Sequence, residues 1–260
     1  MAFTHLHVHT EYSLLDGCNR VKEYIKYVKE LGMNAAAITD HGSMFGVIEF
    51  YEEAIKQGIK PIIGCEVYVA PNSRFDKELT GGDERYHHLV LLAENNVGYA
   101  NLTKIVSRGF TEGYYYKPRV DLELLKKYHS GLIALSGCVA GEIARTLTDT
   151  GYDEAKEKAL YYRILFGENN YFLEVQDHGT QQEKSLNSKL YRLSAETGIP
   201  LAATNDCHYI SREDSEMQNI LLCIQTGKMV GDTDGISFPT DEFYVKSTDE
   251  MYSLFSGYES

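Results

Sequence analysis

The chain has 260 residues, of which 43% are hydrophobic and 24% charged, the composition of a folded globular protein. No apolar run approaches the roughly 18 residues of a membrane-spanning helix, and the N-terminus lacks the regions of a secretory signal. The formal net charge of −13 argues against gripping nucleic acid by phosphate neutralisation alone. It does not exclude a nucleic-acid substrate, because bound divalent metals reverse the field at a site.

Short apolar runs alternate along the chain with amphipathic stretches. Helical spacing of apolar residues predicts helices over 20–32 and 44–58, each ending at a glycine suited to a helix C-terminus. Polar stretches predict surface loops at 71–85 and 227–241, and the end of the chain predicts a short strand near 242–245 and a final helix. About seven further strands are predicted, at 3–8, 35–39, 61–69, 88–93, 131–136, 171–175 and 201–204.

This alternation predicts parallel strands joined by right-handed crossovers. An open doubly wound sheet and a closed barrel both satisfy it. Candidate metal ligands follow the C-terminal end of almost every predicted strand, and a barrel brings those ends together in one pocket, whereas an open sheet scatters them. We therefore predict an α/β barrel.

Two pairs of candidate ligands are spaced two residues apart. His7 and His9 share one face of the first predicted strand, so their imidazoles can converge on a metal. Asp206 and His208 repeat this spacing. The same pattern also fits hydrogen-bonded core histidines, which is the interpretation we prefer for His5.

Other candidates stand at single positions. In TDHG, His41 is placed at the barrel mouth with Asp40 orienting a ligand, although the tetrapeptide also suits a turn. Glu66 interrupts an apolar strand, and either a bridged pair of metals or a buried ion pair offsets the cost of its burial. Asp16, in SLLDG, is a ligand, a turn residue or an N-cap.

Neighbouring histidines and a cysteine complete the set. His87 and His88 are adjacent on a strand, so at most one faces the site, and we take His88. Cys138 is a thiolate ligand, a nucleophile or a small buried side chain. With five cysteines in all and no CxxC pair, the sequence predicts reduced thiols, as in a cytoplasm.

Together these residues predict a metal cluster. Imidazole, carboxylate and thiolate ligands favour zinc, with manganese or iron as alternatives. The set is too large for one metal and sufficient for two or three, and clustered metals suit phosphoester hydrolysis. The nine candidates are His7, His9, Asp16, His41, Glu66, His88, Cys138, Asp206 and His208.

Six motifs, in order LHVHTEYSLLDG, TDHG, GCEVY, HHLVLLA, SGCVAGE and TNDCHY, resemble those of the PHP (polymerase and histidinol phosphatase) superfamily. The likeness covers nearly the whole chain. The segments GYYYKPRVD, AENNVGYANL, EVQDHG and EFYVKSTDEMYSLF narrow it to the N-terminal PHP domain of bacterial DNA polymerase III alpha subunits.

The resemblance implies a single PHP domain over 1–260, with 240–260 beginning the connection to a polymerase body. It implies a distorted TIM-like barrel of seven strands holding three metals, with Asp206 and Glu66 also serving catalysis. The resemblance implies that one metal is held by His7, His9 and Asp206, and that Glu66 bridges it to a second metal held also by His88 and Cys138. The implied ligands of the third metal are Asp16, His41 and His208.

The implied activity is a metal-dependent 3′–5′ exonuclease acting on single-stranded DNA ends. Its implied partners are the rest of the polymerase chain and replisome subunits, in the cytoplasm and with no membrane. Lys117 and Arg119 are candidates to contact phosphate, and Tyr114–Tyr116 to stack on a base, although that run also fits a loop with partly buried tyrosines. His178 is a further polar residue near the mouth.

Two other functions remain open. One is a catalytically silent module in which metals stabilise the domain as a scaffold. The other is a free-standing phosphatase for small monoesters such as histidinol phosphate, against which the polymerase-like ending weighs. The three functions predict different results. The exonuclease hydrolyses DNA ends, the silent module hydrolyses nothing with any metal, and the phosphatase prefers a small monoester.

Overall fold

The computed structural model of the chain describes residues 2–78, 86–231 and 237–257. Its strands are β1 (Ala35–Ile38), β2 (Lys60–Val69), β3 (His87–Ala93), β4 (Tyr114–Tyr115), β5 (Lys117–Val120), β6 (Leu132–Leu135), β7 (Tyr171–Val175) and β8 (Leu201–Ala203). Its α-helices are α1 (Val21–Glu30), α2 (Val47–Gln57), α3 (Asn96–Thr111), α4 (Leu122–Tyr128), α5 (Glu142–Arg145), α6 (Tyr152–Phe166), α7 (Gln181–Thr197), α8 (Ser215–Thr226) and α9 (Thr248–Phe255).

The strands form one curled sheet in the order β4-β5-β2-β3-β6-β7-β8, and β1 pairs with the first residues of β2. The pairs β1–β2, β6–β7 and β7–β8 are parallel, as predicted, but β3 is antiparallel to both β2 and β6. The prediction of parallel strands throughout is wrong for β3. A parallel pair needs a crossover of a dozen or more residues, usually a helix, and the described part of the β2–β3 connection, 70–78 and 86, contains none.

The segment predicted as the first strand, 3–8, forms no regular strand and makes one isolated bridge, between Val8 and Cys207. His9 N donates to Cys207 O, and Cys207 N donates to His7 O. On the other side Thr39 N donates to Val8 O, while the Thr39 hydroxyl accepts from Val8 N at 2.7 Å. A side chain thus replaces a ladder partner, so no regular strand forms. These bridges close the curled sheet into a distorted TIM-like α/β barrel.

The end of the chain follows the same pattern. The segment predicted as a strand, 242–245, makes one isolated bridge, between Tyr209 and Tyr244. The helix α9 begins at a capping box in which Ser247 and Glu250 bond each other's backbone N–H groups. The predicted loops at 71–85 and 227–241 carry neither helix nor strand where they are described, and 79–85 and 232–236 lie outside the described residues.

The two predicted N-terminal helices form as α1 and α2. Val21, Tyr24, Ile25 and Val28 of α1 are buried, which is the apolar stripe that helical spacing predicts. Gly58 ends α2 in the left-handed conformation, with φ of 75°. Most side chains avoid that conformation, so glycine is favoured at this position.

The inside of the barrel holds both apolar packing and the candidate site. Val90 of β3 lies opposite Glu66 of β2 and Leu135 of β6, and cross-strand partners share a face of the sheet. Val90, Leu92 and Leu135 form a small apolar cluster on this inner face. A larger cluster fills the space between the sheet and its covering helices. In the described ranges, no helix has both the length and the apolar composition to cross a bilayer.

A close backbone approach at Gly98 gives a stability prediction. A Cβ atom at Gly98 in α3 would lie 1.7 Å from the carbonyl oxygen of Gly131. We expect Gly98→Ala to lower the free energy of unfolding by about 1–3 kcal/mol, since the backbones must separate. Urea denaturation measures this. Ser107→Ala, on the exposed face of α3, is the matched control, and an equal effect of both changes would contradict the prediction.

Candidate metal centre

The nine predicted ligands meet at one end of the barrel. His41 follows β1, Glu66 lies within β2, and Cys138 follows β6. His88 lies at the start of β3. Because β3 runs antiparallel to its neighbours, its first residues lie at the same edge as the C-terminal ends of the parallel strands. The others come from the extended segment at 7–9, the loop that contains Asp16, and the segment after β8.

Glu66 lies in the middle of the group, with its side chain fully buried. Its Oε1 is 3.2 Å from His7 Nε2 and 2.9 Å from His88 Nδ1. Its Oε2 is 2.6 Å from His41 Nδ1 and 3.5 Å from His9 Nε2. One carboxylate therefore contacts four imidazoles, two through each of its oxygens.

Asp206 faces the same two N-terminal imidazoles. Its Oδ1 is 3.2 Å from His7 Nε2 and 3.1 Å from His9 Nε2. Its backbone has a φ of 42°, in the left-handed region that few residues other than glycine adopt. Such conformations persist where surrounding contacts hold them, often at functional sites.

The remaining ligands extend the group on two sides. Asp16 Oδ2 is 2.9 Å from His41 Nε2 and 3.7 Å from His208 Nε2. The Cys138 Sγ atom is 3.9 Å from His88 Nδ1. The structure thus brings together all nine predicted residues, and Glu66 contacts histidines of all three groups that the resemblance implies.

Unpaired buried atoms test whether these residues suit a metal. Buried polar atoms in proteins are nearly always hydrogen-bonded. Here several lie close together without hydrogen-bonding geometry, and nitrogen and carboxylate oxygen are ligands of divalent metals. Sets including His7, His9 and Glu66, or His41, Glu66 and His88, have ligand atoms within 4.8 Å of one another. The unpaired atoms are His7 Nε2, His9 Nε2, His41 Nδ1, Glu66 Oε2 and Asp206 Oδ1. The donor set fits divalent metals.

Hydrogen bonds behind the ligands orient the imidazoles. His7 Nδ1 donates to Glu174 Oε1 at 2.7 Å, and His9 Nδ1 donates to Ser13 Oγ at 3.0 Å. The Ser13 hydroxyl in turn donates to Asp40 Oδ1 at 2.8 Å. With Nδ1 protonated, each Nε2 directs its lone pair toward the centre. Asp40 therefore orients a ligand as predicted, but it acts through Ser13.

Glu174 and Ser13 were missed by the analysis of the sequence. Glu174 Oε1 also accepts from Gln176 Nε2 at 3.0 Å and from Thr204 Oγ1 at 2.5 Å. Glu174 interrupts an apolar strand, as Glu66 does, so the same reasoning identifies it. Ser13 has no comparable signal, because a serine in a loop is ordinary.

Burial and neighbouring charges shift the pKa values of the site in opposite directions. Burial and the charge of His41 lower the pKa of His9 to about 3. For His41, burial lowers the pKa, but the carboxylates of Glu66 and Asp16 outweigh it and raise the pKa to about 10. Burial and the charge of Glu66 raise the pKa of the Cys138 thiol. Burial thus favours the neutral form of His9 and of the Cys138 thiol.

A cavity of about 370 Å³ opens beside the centre. Asp16, His41 and His88 line it together with Lys117, whose Nζ lies 5.5 Å from the centroid of the Tyr68 ring. Its volume is in the range of small-ligand sites. A ligand in the cavity therefore meets three predicted metal ligands and one positive charge.

The other predicted substrate contacts divide between this cavity and the interior. Tyr114 and Tyr116 line the cavity. Arg119 is buried, and its guanidinium donates to backbone carbonyls of the loop at 71–78 and lies 5.0 Å from the ring centroid of Tyr115. Of the two predicted phosphate contacts, only Lys117 lines the cavity, so the geometry does not favour that role for Arg119.

Two further histidines lie outside the cavity lining. His178 is buried and stacks on Phe243, with 3.7 Å between the ring centroids. Its Nε2 is 3.0 Å from Asn205 O, so the ring packs within the protein and does not face the mouth. His5 Nε2 is 2.8 Å from Lys246 O, and burial lowers its pKa to about 4. His5 is a hydrogen-bonded core histidine, as expected.

Comparison with known proteins places this geometry in a family. The PHP domain model matches residues 5–178. The chain is 50% identical over 258 residues to the DNA polymerase III subunit alpha of Treponema pallidum, covering 99% of this chain and 22% of that protein. It is 45% identical to the corresponding subunit of Borreliella burgdorferi, covering 98% of this chain and 22% of that protein. The chain thus spans about a fifth of the length of these relatives.

A solved structure shares the fold at low identity. An amidohydrolase from Chromobacterium violaceum aligns with a TM-score of 0.51 and 16% identity, over 79% of this chain and 87% of that one. This likeness concerns the fold alone. The match to the family model covers more than half of the chain, and the chain therefore belongs to the PHP domain family.

Proposed function

We propose that this chain is a metal-dependent phosphoesterase domain that removes nucleotides from the 3′ ends of single-stranded DNA. The observation that carries the proposal is the convergence of nine metal-ligand side chains on a buried centre, beside a cavity that holds Lys117. The identity to DNA polymerase III alpha subunits supports a place in such a polymerase, with the rest of that chain and replisome subunits as partners.

The proposed metals are two or three divalent ions, with zinc favoured and manganese or iron as alternatives. The proposed groups are those named above, with Glu66 bridging. Divalent metals bound there would lower the pKa of a water molecule and offset the charge of phosphate oxygens.

The residues of the chain have distinct tasks in this proposal. Glu66 and Asp206 fix the positions of the centre, since their oxygens lie among the imidazoles. Glu174 and Ser13 hold His7 and His9 in the tautomer that presents Nε2. Lys117 binds a phosphate oxygen at the mouth of the cavity, and Arg119, being buried, is left out of this role.

A second function, a silent module stabilised by metals, is favoured by one observation. The ligands His7 and His9 belong to the segment that closes the barrel through Cys207. Metals at the centre would therefore stabilise the closure whether or not hydrolysis occurs. A small-monoester phosphatase remains the third alternative, to be decided by substrate preference.

The metal content of the purified chain tests the centre directly. We expect about two or three metals per chain by elemental analysis, in line with the number of ligands in clustered sites. Glu66→Gln should lower this number by at least one, because the amide is a weaker bridge. His129→Gln, at a half-buried histidine bonded to Lys126 O, is the control. Absence of metal even after reconstitution with zinc or manganese would contradict the proposal.

Metal affinity tests the orienting role of Glu174. We expect Glu174→Gln to weaken binding of the first-released metal by about 10–100-fold, because the amide can present its nitrogen to His7 Nδ1 and lose that hydrogen bond. Titration with a competing chelator measures the change. Glu142→Gln, at a carboxylate bonded to Tyr162 away from the centre, is the matched control. An affinity unchanged in Glu174→Gln would refute the role.

Hydrolysis of a 3′-labelled single strand distinguishes the proposed functions. We expect metal-dependent release of nucleotides that Asp206→Asn abolishes, while the variant keeps its fold by circular dichroism. Lys117→Ala should raise KM roughly tenfold, through loss of one charge-assisted hydrogen bond to phosphate.

Lys104→Ala, on the exposed face of α3, is the control for Lys117→Ala. Bound metal without hydrolysis would favour the silent module. Preference for a small phosphomonoester over DNA would favour the phosphatase.

A further inference from the structure

A row of exposed aromatic rings extends from the candidate metal centre. Phe45, Phe110 and Tyr114 have 62%, 37% and 53% of their surface exposed. The ring centroids of Phe45 and Phe110 are 5.6 Å apart, and those of Phe110 and Tyr114 are 6.5 Å apart. The three rings therefore make one continuous apolar surface, which we call the aromatic row.

The aromatic row is assembled from three separate parts of the fold. Phe45 lies in the turn between β1 and α2, four residues after His41. Phe110 is near the end of α3, and Tyr114 is in β4. All three line the cavity that also contains His41 and Asp16. The apolar surface is thus continuous with the predicted ligands, and an occupant of one reaches the other.

We propose that the aromatic row is a binding subsite for the unpaired bases of a nucleic-acid strand whose terminal phosphodiester lies at the metal centre. This inference rests on the proposed function and assigns the side chains that hold the bases of its substrate. Bases stack on aromatic rings whatever their identity, because every base has a π-face. The subsite therefore takes single strands with little sequence preference, and it excludes paired bases, whose faces are covered within a duplex.

The charge of the chain supports stacking as the source of affinity. The net charge of −13 argues against affinity that comes from phosphate neutralisation over many nucleotides. Stacking does not depend on net charge. Within the cavity lining, Lys117 adds one positive charge beside the aromatic row. The imidazoles of His41 and His88 and the cation of Lys117 in the same lining suit a phosphate-bearing occupant better than the apolar side chains of a protein partner.

The test replaces the rings while keeping apolar bulk. In the double variant Phe45→Leu with Phe110→Leu, two substrates are compared: an oligo(dT) strand and the p-nitrophenyl ester of thymidine 5′-phosphate. We expect the ratio of kcat/KM for oligo(dT) to that for the small diester to fall at least about 5-fold, the lower end of the effect of losing stacking on one base. Tyr51→Leu, at a half-exposed ring outside this cavity, is the matched control and should leave the ratio unchanged.

An abasic strand of equal length separates stacking from other effects. The double variant should not change kcat/KM for the abasic strand relative to the small diester. An equal fall with the abasic strand, or no fall with oligo(dT), overturns the inference, and the second result assigns the aromatic row to protein contacts.

Failure of the proposed function gives a different result. The wild-type chain would then hydrolyse neither diester. In that case fluorescence anisotropy of labelled oligo(dT) decides: binding at least about 5-fold weaker in the double variant supports the subsite, and equal binding overturns it.

Discussion

The interior of the barrel depends on one costly group, the fully buried carboxylate of Glu66. A buried charge without partners is strongly destabilising, and this one is surrounded by the imidazoles of four histidines from three separate segments. Those imidazoles are in turn aligned by Glu174 and by Ser13 with Asp40. The segments at 7–9 and 206–208, which supply predicted ligands, also close the barrel. The arrangement of charge around Glu66 and the closure of the fold therefore depend on the same segments.

Much of this arrangement is readable in the sequence because its signals are local. Six of the seven predicted strand runs overlap β1, β2, β3, β6, β7 and β8, since apolar periodicity depends on neighbouring residues. The two-residue spacing of His7 with His9, and the carboxylate within an apolar strand at Glu66, likewise carry their meaning within a few residues. The convergence of these ligands followed once a barrel was chosen over an open sheet.

The remainder depends on contacts between distant parts of the chain. The direction of β3 is decided by the connection that joins it to β2. A run of apolar residues has the same pattern in a parallel and in an antiparallel strand. The segment at 3–8 has the composition of a strand, but a threonine side chain takes the place of a ladder bond. The sequence favoured Arg119 as a phosphate contact beside Lys117. Only the folded chain shows that its guanidinium already donates hydrogen bonds to backbone carbonyls.

The bridge between Val8 and Cys207 also has a consequence for the order of folding. It joins residues that lie far apart in the sequence, so its formation carries the loop-closure cost of a long chain segment and is expected late in folding. During synthesis, His7 and His9 emerge first and wait for Asp206 and His208. Until that last segment has left the ribosome, the early histidines lack the Asp206 carboxylate that both contact in the folded chain, so this end of the barrel is completed only after nearly the whole domain has been made.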